Sequence, residues 1–241
     1  AAVGMGKKEF NAAWDDYQIE MIVSQIPSSF EVGLLSDTHF GNKSQQMTAV
    51  RESYRIFKER NVGFVIHAGD LVDKYCFKRD RGEAWTKSDI IDYVIDQYPR
   101  TGLTTFVLAG NHDKIPKRKL KQNSVRMVTN YRDDFSYIGE DHGSFIMNGL
   151  EFYVNHENGI GEQERLTNLY HKACFQNYDA DIIIAGHLHK WGINPTYHQS
   201  FICQLPSMTS EGPESGAAIL HVNPKFKWIE PLVFDVLTHD W

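Results

Sequence analysis

The chain has 241 residues, 41% hydrophobic and 12% aromatic, which is enough apolar surface to bury a large core in one α/β domain. Its formal net charge of -6 argues against a general attraction to nucleic acid or anionic membrane. Cys76, Cys174 and Cys203 contain no CxxC pair, which argues against a disulfide framework or a cysteine-rich zinc site and favours a reducing compartment.

Residues 1–26 read as a polar, partly helical arm, because Phe10, Trp14, Tyr17 and Met21 recur at three- and four-residue spacing. Pro27-Ser28-Ser29 breaks that pattern, and residues 27–241 read as the main domain. The chain begins Ala1-Ala2-Val3-Gly4, so the arm is either the first helix of the domain or the tail of an absent upstream domain. No apolar run reaches membrane-spanning length and no leader pattern is present, so a soluble, cytoplasmic protein is expected.

Short apolar runs then alternate with helical stretches. Val32–Leu35 predicts a strand and Gln45–Arg60 an amphipathic helix. Phe64–Ala68 is the next strand, Ser88–Tyr98 a helix closed by Pro99, and Thr104–Ala109 a third strand. Ser144–Met147 and Leu150–Asn155 flank Asn148-Gly149, a strong hairpin signal. A helix at Glu162–Gln176 leads to a buried strand at Asp181–Ala185. The last third, with runs at Ser200–Ile202, Ala217–Val222 and Trp228–Leu237, is strand-rich, with turns at Gly212-Pro213 and Asn223-Pro224. The expected fold class is α/β: a four-layer α/β/β/α sandwich of two mixed sheets packed face to face, with flanking helices.

The apolar strands end in one kind of residue. Leu34-Leu35 runs into Ser36-Asp37-Thr38-His39, and Phe64–Ala68 into Gly69-Asp70-Leu71-Val72-Asp73. Phe106–Ala109 runs into Gly110-Asn111-His112-Asp113, Phe152–Asn155 into His156, and Ile182–Ala185 into Gly186-His187-Leu188-His189. A lone Asp after a strand is ordinarily a cap or an Asx-turn. Five such ends in order are hard to attribute to capping, because ligands of open α/β sheets bind beyond the carboxyl ends of the strands.

Carboxylate, imidazole and amide donors without thiolate suit borderline divalent ions. Seven ligands are too many for one ion with an open position and fit two ions, with Asp70 as the natural bridge. Two such cations about 3.5–4 Å apart favour in-line displacement at phosphorus.

These five motifs, spanning about residues 32–190, resemble the calcineurin-like metallophosphoesterase superfamily. The resemblance implies Asp37, His39 and His189 on one metal and Asn111, His156 and His187 on a second, with Asp70 shared. It implies His112 as the catalytic histidine that protonates the leaving oxygen and Asp73 as the acid that orients it. No motif position is lost, unlike in family members that serve only as scaffolds. Ser36–Lys43, His67–Asp73 and Gly186–Lys190 look most similar to small phosphoesterases of phages and bacteria, which would place the protein in a host cytoplasm if a phage encodes it. The DNA-repair exonuclease branch is a more distant resemblance. The protein-phosphatase branch carries Arg-Gly where this chain has Lys74-Tyr75 after Asp73.

Basic residues follow two of the motifs: Lys74, Lys78, Arg79 and Arg81, then Lys114, Lys117, Arg118, Lys119 and Lys121. They read either as solvated loops or as a cationic rim that attracts a polyanion, with Tyr75, Phe77 and Trp85 available to stack on bases. His67, on a buried strand, reads as a support for the metal ligands. Cys76 reads as a loop thiol.

The leading expectation is a binuclear metal-dependent phosphodiesterase or nuclease, hydrolysing nucleic-acid or nucleotide bonds with hydroxide activated by two divalent ions. Manganese stands first among these ions, with zinc, ferrous iron or nickel as alternatives. Competing readings are a phosphomonoesterase or nucleotide pyrophosphohydrolase, a non-catalytic binding scaffold, and an unrelated mononuclear zinc hydrolase.

Overall fold

A computed structural model describes residues 29–77, 86–115, 122–156, 165–211, 214–224 and 228–234. The expected arm at 1–26 and the Gly212-Pro213 turn lie outside the described residues. Strands β1 (Phe30–Leu35), β2 (Phe64–His67) and β3 (Thr105–Ala109) form where the apolar runs predict them, with helix α1 (Met47–Glu59) between the first two. Helix α2 (Lys87–Gln97) precedes β3 and opens on a reciprocal capping box, in which Thr86 and Asp89 each bond the other's backbone N–H. Beyond β3 come a short pair, β4 (Lys114–Ile115) and β5 (Gln122–Asn123), helix α3 (Ser124–Thr129), and strand β6 (Phe135–Glu140). Strands β7 (His142–Met147) and β8 (Leu150–Asn155) form the expected hairpin; Asn148 and Gly149 both take positive φ, 50° and 77°, as its tight turn requires. Helix α4 (Arg165–Phe175), β9 (Ile182–Ala185), β10 (Gly192–Tyr197), β11 (Ser200–Gln204), β12 (Ala217–Asn223) and β13 (Trp228–Phe234) complete the order.

Strand periodicity builds the layers. Val32 and Leu34, Phe64 and Ile66, and Phe106 and Leu108 point into a central core; Leu35, Val65 and Val107 point the other way, into a core shared with α1, α2 and α3. In the second half Phe152, Ile182, Ile184, Phe201 and Cys203 join the central core, while Tyr153, Ile183 and Ile202 meet Leu169 and Ala173 of α4. Across the central layer Phe145 stacks on Phe106 with ring centroids 4.6 Å apart. The result is the expected sandwich: two mixed sheets face to face, helices outside.

Hydrogen bonding also continues around one edge, so the ladder runs β10-β11-β9-β8-β7-β6-β3-β2-β1-β12-β13. The corner is one residue pair, Glu140 with His142, across Asp141 at φ 65°. Strands β1, β2, β3 and β6 run parallel in one half, and β8, β9 and β11 in the other. Their carboxyl ends therefore face one rim. Among the described residues no helix is long and apolar enough to cross a membrane.

Candidate active site

Strands β1, β2 and β9 each hand the chain to a tight turn at this rim. Asp37, His39, Asp70, His187 and His189 all adopt left-handed backbone, with φ between 45° and 79°. Such conformations are costly for residues with a Cβ and concentrate where a site needs side chains in unusual directions. Hydrogen bonds hold them in place: Asp37 N–H donates to Gly69 O (3.0 Å) and His39 N–H to Asp70 O (3.1 Å). At Gly110 an added Cβ would fall on Asp70 Oδ1, and at Gly69 on the His156 ring, so these glycines are what allow the two side chains to approach backbone so closely.

The side chains then converge. Asp37 Oδ1 lies 3.1 Å from His189 Nε2, 3.7 Å from His39 Nε2 and 3.6 Å from His156 Nε2. Its Oδ2 accepts from Ser36 Oγ (2.6 Å) and from His187 N–H (3.0 Å). Asp70 Oδ1 accepts from His112 N–H at 2.7 Å, while Oδ2 faces His156 Nε2 at 3.0 Å and His39 Nε2 at 3.8 Å. Asp70 thus stands between the two ligand groups expected from the sequence. Ligand atoms of Asp37, His39 and His189 lie within 4.8 Å of one another, as do those of Asp70, His156 and His187; a third such group is His39, Asp70 and His112.

These residues fit divalent cations. His39 Nε2 and Asn111 Oδ1 are buried and make no hydrogen bond, and orphaned buried donors and acceptors are rare unless another group completes them. His156 Nδ1 contacts Ala68 O at 2.5 Å; donation there turns Nε2 toward the carboxylates, where it can bear either a proton or a metal. Electrostatics agree. Burial alone would lower the His156 pKa, yet the charges of Asp70 and Asp37 raise it to about 10. Burial would raise that of Asp37, yet His156, His189 and His39 hold it well below the usual carboxylate range. A cavity that holds a proton so firmly is one that attracts a cation.

Beside the cluster, His112 Nδ1 lies 2.9 Å from Asp73 Oδ1. Burial would raise the Asp73 pKa, but His112, the Tyr75 N–H and Asn42 lower it to about 2, so Asp73 is a carboxylate and His112 Nδ1–H donates to it. Tyr75 packs edge-on to His112, with centroids 5.2 Å apart. His67 is fully buried and its Nε2 lies 3.0 Å from Thr38 Oγ1. Since that hydroxyl donates to Leu71 O (3.1 Å), His67 supplies the proton between them and braces the turn joining Asp37 to His39. Burial lowers its pKa to about 3, consistent with a neutral ring.

Two residues that the motifs contain, but to which the sequence assigned no role, support the site. Asp113 is fully buried and accepts from Leu71 N–H, Val72 N–H, Gly110 N–H and Ser124 Oγ, at 2.8–3.1 Å, tying the Asp70 and Asn111 loops together. Burial, followed by the charge of Asp70, raises its pKa to about 6. Asn42 donates to Asp73 Oδ2. Local sequence gives one hint of Asp113, its place two residues after Asn111 in a tight loop where Asx-turns form; nothing local points to Asn42.

The cleft over the cluster, about 350 Å³, is lined by His39, Asn42, Ser44, Asp70, Asp73, Tyr75, His112, His187, His189, Thr209 and Glu211. Of the rim residues, Lys78, Arg79, Arg81, Trp85, Lys117, Arg118, Lys119 and Lys121 lie outside the described residues. The Lys74 ammonium sits 5.2 Å over the Tyr75 ring. Lys114 is turned to acids instead of the cleft, with its ammonium 2.5 Å from Asp141 Oδ2 and 3.5 Å from Glu140 Oε1. Cys76 is not a loop thiol: it is buried in a short 3₁₀ turn, Lys74–Phe77, packed into the helix-side core.

The model of the calcineurin-like phosphoesterase superfamily domain matches residues 30–224. Among curated proteins no sequence match is found. An archaeal phosphodiesterase of solved structure shares the fold at 18% identity and TM-score 0.53, covering 85% of this chain and 99% of its own. A predicted phosphoesterase from Streptococcus pneumoniae TIGR4 aligns at 12% identity and TM-score 0.45, covering 87% of this chain and 100% of its own. The zinc complex of Vps29 from Entamoeba histolytica aligns at 16% identity and TM-score 0.43, covering 86% and 99%. With the family model spanning every motif from Asp37 to His189, the chain belongs to the calcineurin-like phosphoesterase superfamily.

Proposed function

We propose that this protein is a binuclear metal-dependent phosphodiesterase that hydrolyses nucleic-acid or nucleotide phosphodiester bonds. The observation that carries the reading is an imidazole, His112, fixed by a carboxylate and standing against the two ligand groups that Asp70 joins. Asp37, His39 and His189 would hold one cation, Asn111, His156 and His187 the other, and Asp70 both. Divalent ions bound there supply Lewis acidity, neutralising phosphate oxygens and lowering the pKa of a water nucleophile.

The chain's own groups do the rest. Asp73 fixes the tautomer of His112, with Nδ1–H donating to the carboxylate and Nε2 left for the cleft. As the imidazolium, carrying a second proton on Nε2, His112 protonates the leaving oxygen and returns to the Nδ1–H tautomer, the step that poor leaving groups require. The burial of Asp37, Asp70 and His156 keeps water from competing for their electron pairs.

Charge on the cleft walls favours a diester. Among the described lining residues there is no Lys or Arg, whereas Asp70, Asp73 and Glu211 are acidic. A monoester is a dianion near neutral pH, and beyond the two cations no Lys or Arg on the described walls would hold its second charge, which a monoanionic diester does not carry. The test is hydrolysis of bis-p-nitrophenyl phosphate against p-nitrophenyl phosphate with Mn²⁺ added. Preference for the diester is expected; strong preference for the monoester overturns the diesterase reading in favour of a phosphomonoesterase, and absence of both activities in metal-loaded protein favours a scaffold.

A further inference from the structure

His112 can serve as a proton donor only if Asp73 is itself held still. A carboxylate at the end of a one-carbon arm rotates freely unless both oxygens are engaged. Oδ1 is engaged by His112 Nδ1 (2.9 Å) and by Tyr75 N–H (2.8 Å). The Oδ2 partner is the Asn42 side-chain amide, reached across 31 residues of sequence.

The orientation of that amide follows from its neighbours. Asn42 Oδ1 accepts from the backbone N–H of Ser44 (3.0 Å) and from Ser44 Oγ (2.9 Å). A backbone N–H can only donate, so the atom facing it is oxygen and the NH₂ group necessarily faces Asp73. The loop bearing Asn42 is fixed at both ends: Asn42 N–H donates to His39 O (3.0 Å), and Gly41 N–H to Gln45 Oε1 (2.8 Å) just before α1. A chain of contacts therefore runs Ser44, Asn42, Asp73, His112, and it starts on the loop that also carries the ligand His39.

We infer that Asn42 is a positioning residue for the proton donor: its amide locks the Asp73 carboxylate in the plane that aims His112 Nε2 at the leaving oxygen. The inference rests on the phosphodiesterase reading and deepens it. Asn42 lines the cleft beside Asp73, so the rival role is direct contact with substrate. The two roles differ in what their loss does. A misaimed proton donor slows only reactions whose leaving group needs a proton, whereas a lost substrate contact raises KM for every substrate alike.

The experiment compares Asn42→Ala and Ser44→Ala with wild type on methyl p-nitrophenyl phosphate, which has a good leaving group, and methyl phenyl phosphate, which has a poor one. Metal content is measured on each protein. For Asn42→Ala the ratio of kcat on the poor to kcat on the good leaving group should fall about tenfold, a fraction of what losing the donor outright costs. Its metal content should match wild type, and Ser44→Ala should show the same change to a smaller degree. A rise in KM on both substrates with an unchanged ratio would overturn the inference in favour of substrate binding; lost metal would overturn it in favour of a merely structural role.

An activity-independent readout separates this failure from failure of the phosphodiesterase reading. In ¹⁵N-histidine-labelled protein the His112 Nδ1–H resonance should be protected from exchange in wild type and exposed in Asn42→Ala. Protection that is equal in both proteins sinks the role of Asn42 whether or not either diester is hydrolysed. Loss of protection in protein that hydrolyses neither diester leaves the positioning geometry standing and rejects the reaction.

Discussion

Replacing Asp113 tests whether the site is organised by a residue outside the proposed ligand set. Its carboxylate accepts four hydrogen bonds from groups with no route to solvent: Leu71 N–H and Gly110 N–H on Oδ2, Val72 N–H and Ser124 Oγ on Oδ1. Asp113→Ala orphans all four. At about 1 kcal/mol each, the low end for an unsatisfied buried group, the loss is about 4 kcal/mol. Asp113→Asn should be milder. The new NH₂ can take the Oδ1 position, where the Ser124 hydroxyl rotates to accept from it, so only the Val72 N–H is stranded. That is about 1–3 kcal/mol, less whatever is regained by removing a charge beside Asp70. For a chain of this size 1 kcal/mol shifts Tm by roughly 2–4 °C, so Asp113→Ala should melt about 8–16 °C below wild type and Asp113→Asn should lie between them. Thermal unfolding by circular dichroism in chelator measures the intrinsic cost. Asp113→Ala within about 2 °C of wild type, or Asp113→Asn equal to Asp113→Ala, would refute the reasoning.

Three other outcomes follow from the same geometry. His112→Ala should lower turnover on a poor leaving group by roughly 10²–10⁴-fold with metal content intact, since general-acid catalysis contributes about that much; unchanged turnover removes His112 from the role. Asp70→Asn should weaken both cation sites together, because Oδ2 faces His156 at 3.0 Å and His39 at 3.8 Å; elemental analysis showing the loss of one ion alone would mean Asp70 is not shared. Native protein at pH 8 should show Cys174 as its one fast-reacting thiol, because burial pushes Cys76 and Cys203 up to about 12; rapid labelling of Cys203, read by mass spectrometry, contradicts that burial.

The fold was legible wherever the apolar signal was strong. β1, β2, β3, β8 and β9 carry continuous apolar runs because both their faces are covered, by the central core on one side and helices on the other. β6 and β10 escaped prediction for the opposite reason. Both are mostly half-buried or exposed, and β10 is an edge strand containing Pro195, so neither shows the hydrophobic period that marks a strand. Helix α3 is six residues long, too short to display a face. At the site, residues that end strands were visible because position and chemistry coincide. Asn42 and Asp113 were not, because the contacts that tie them to the site, with Asp73, Leu71 and Val72, span 31 and 41–42 residues, while the near ones, with Ser44 and Gly110, are of the kind any loop Asn or Asp makes.

The left-handed turns explain why strand ends alone suffice to build such a site. In a continuing strand successive side chains alternate, so Leu35 and Asp37 would share one face and neither could turn toward the rim. Left-handed φ at Asp37 and again at His39 breaks that alternation, and the same device recurs at Asp70, His187 and His189. Each costs on the order of 1–3 kcal/mol in isolation. No single contact offsets that; the turns hold one another. Met208 N–H donates to Asp37 O, Asp37 N–H to Gly69 O, His39 N–H to Asp70 O and His187 N–H to Asp37 Oδ2, linking loops that follow four different strands. Strain distributed over mutually bonded turns cannot relax at one of them without breaking bonds at the others, and that is what holds the carboxylates of Asp37 and Asp70 and the imidazoles around them facing one another.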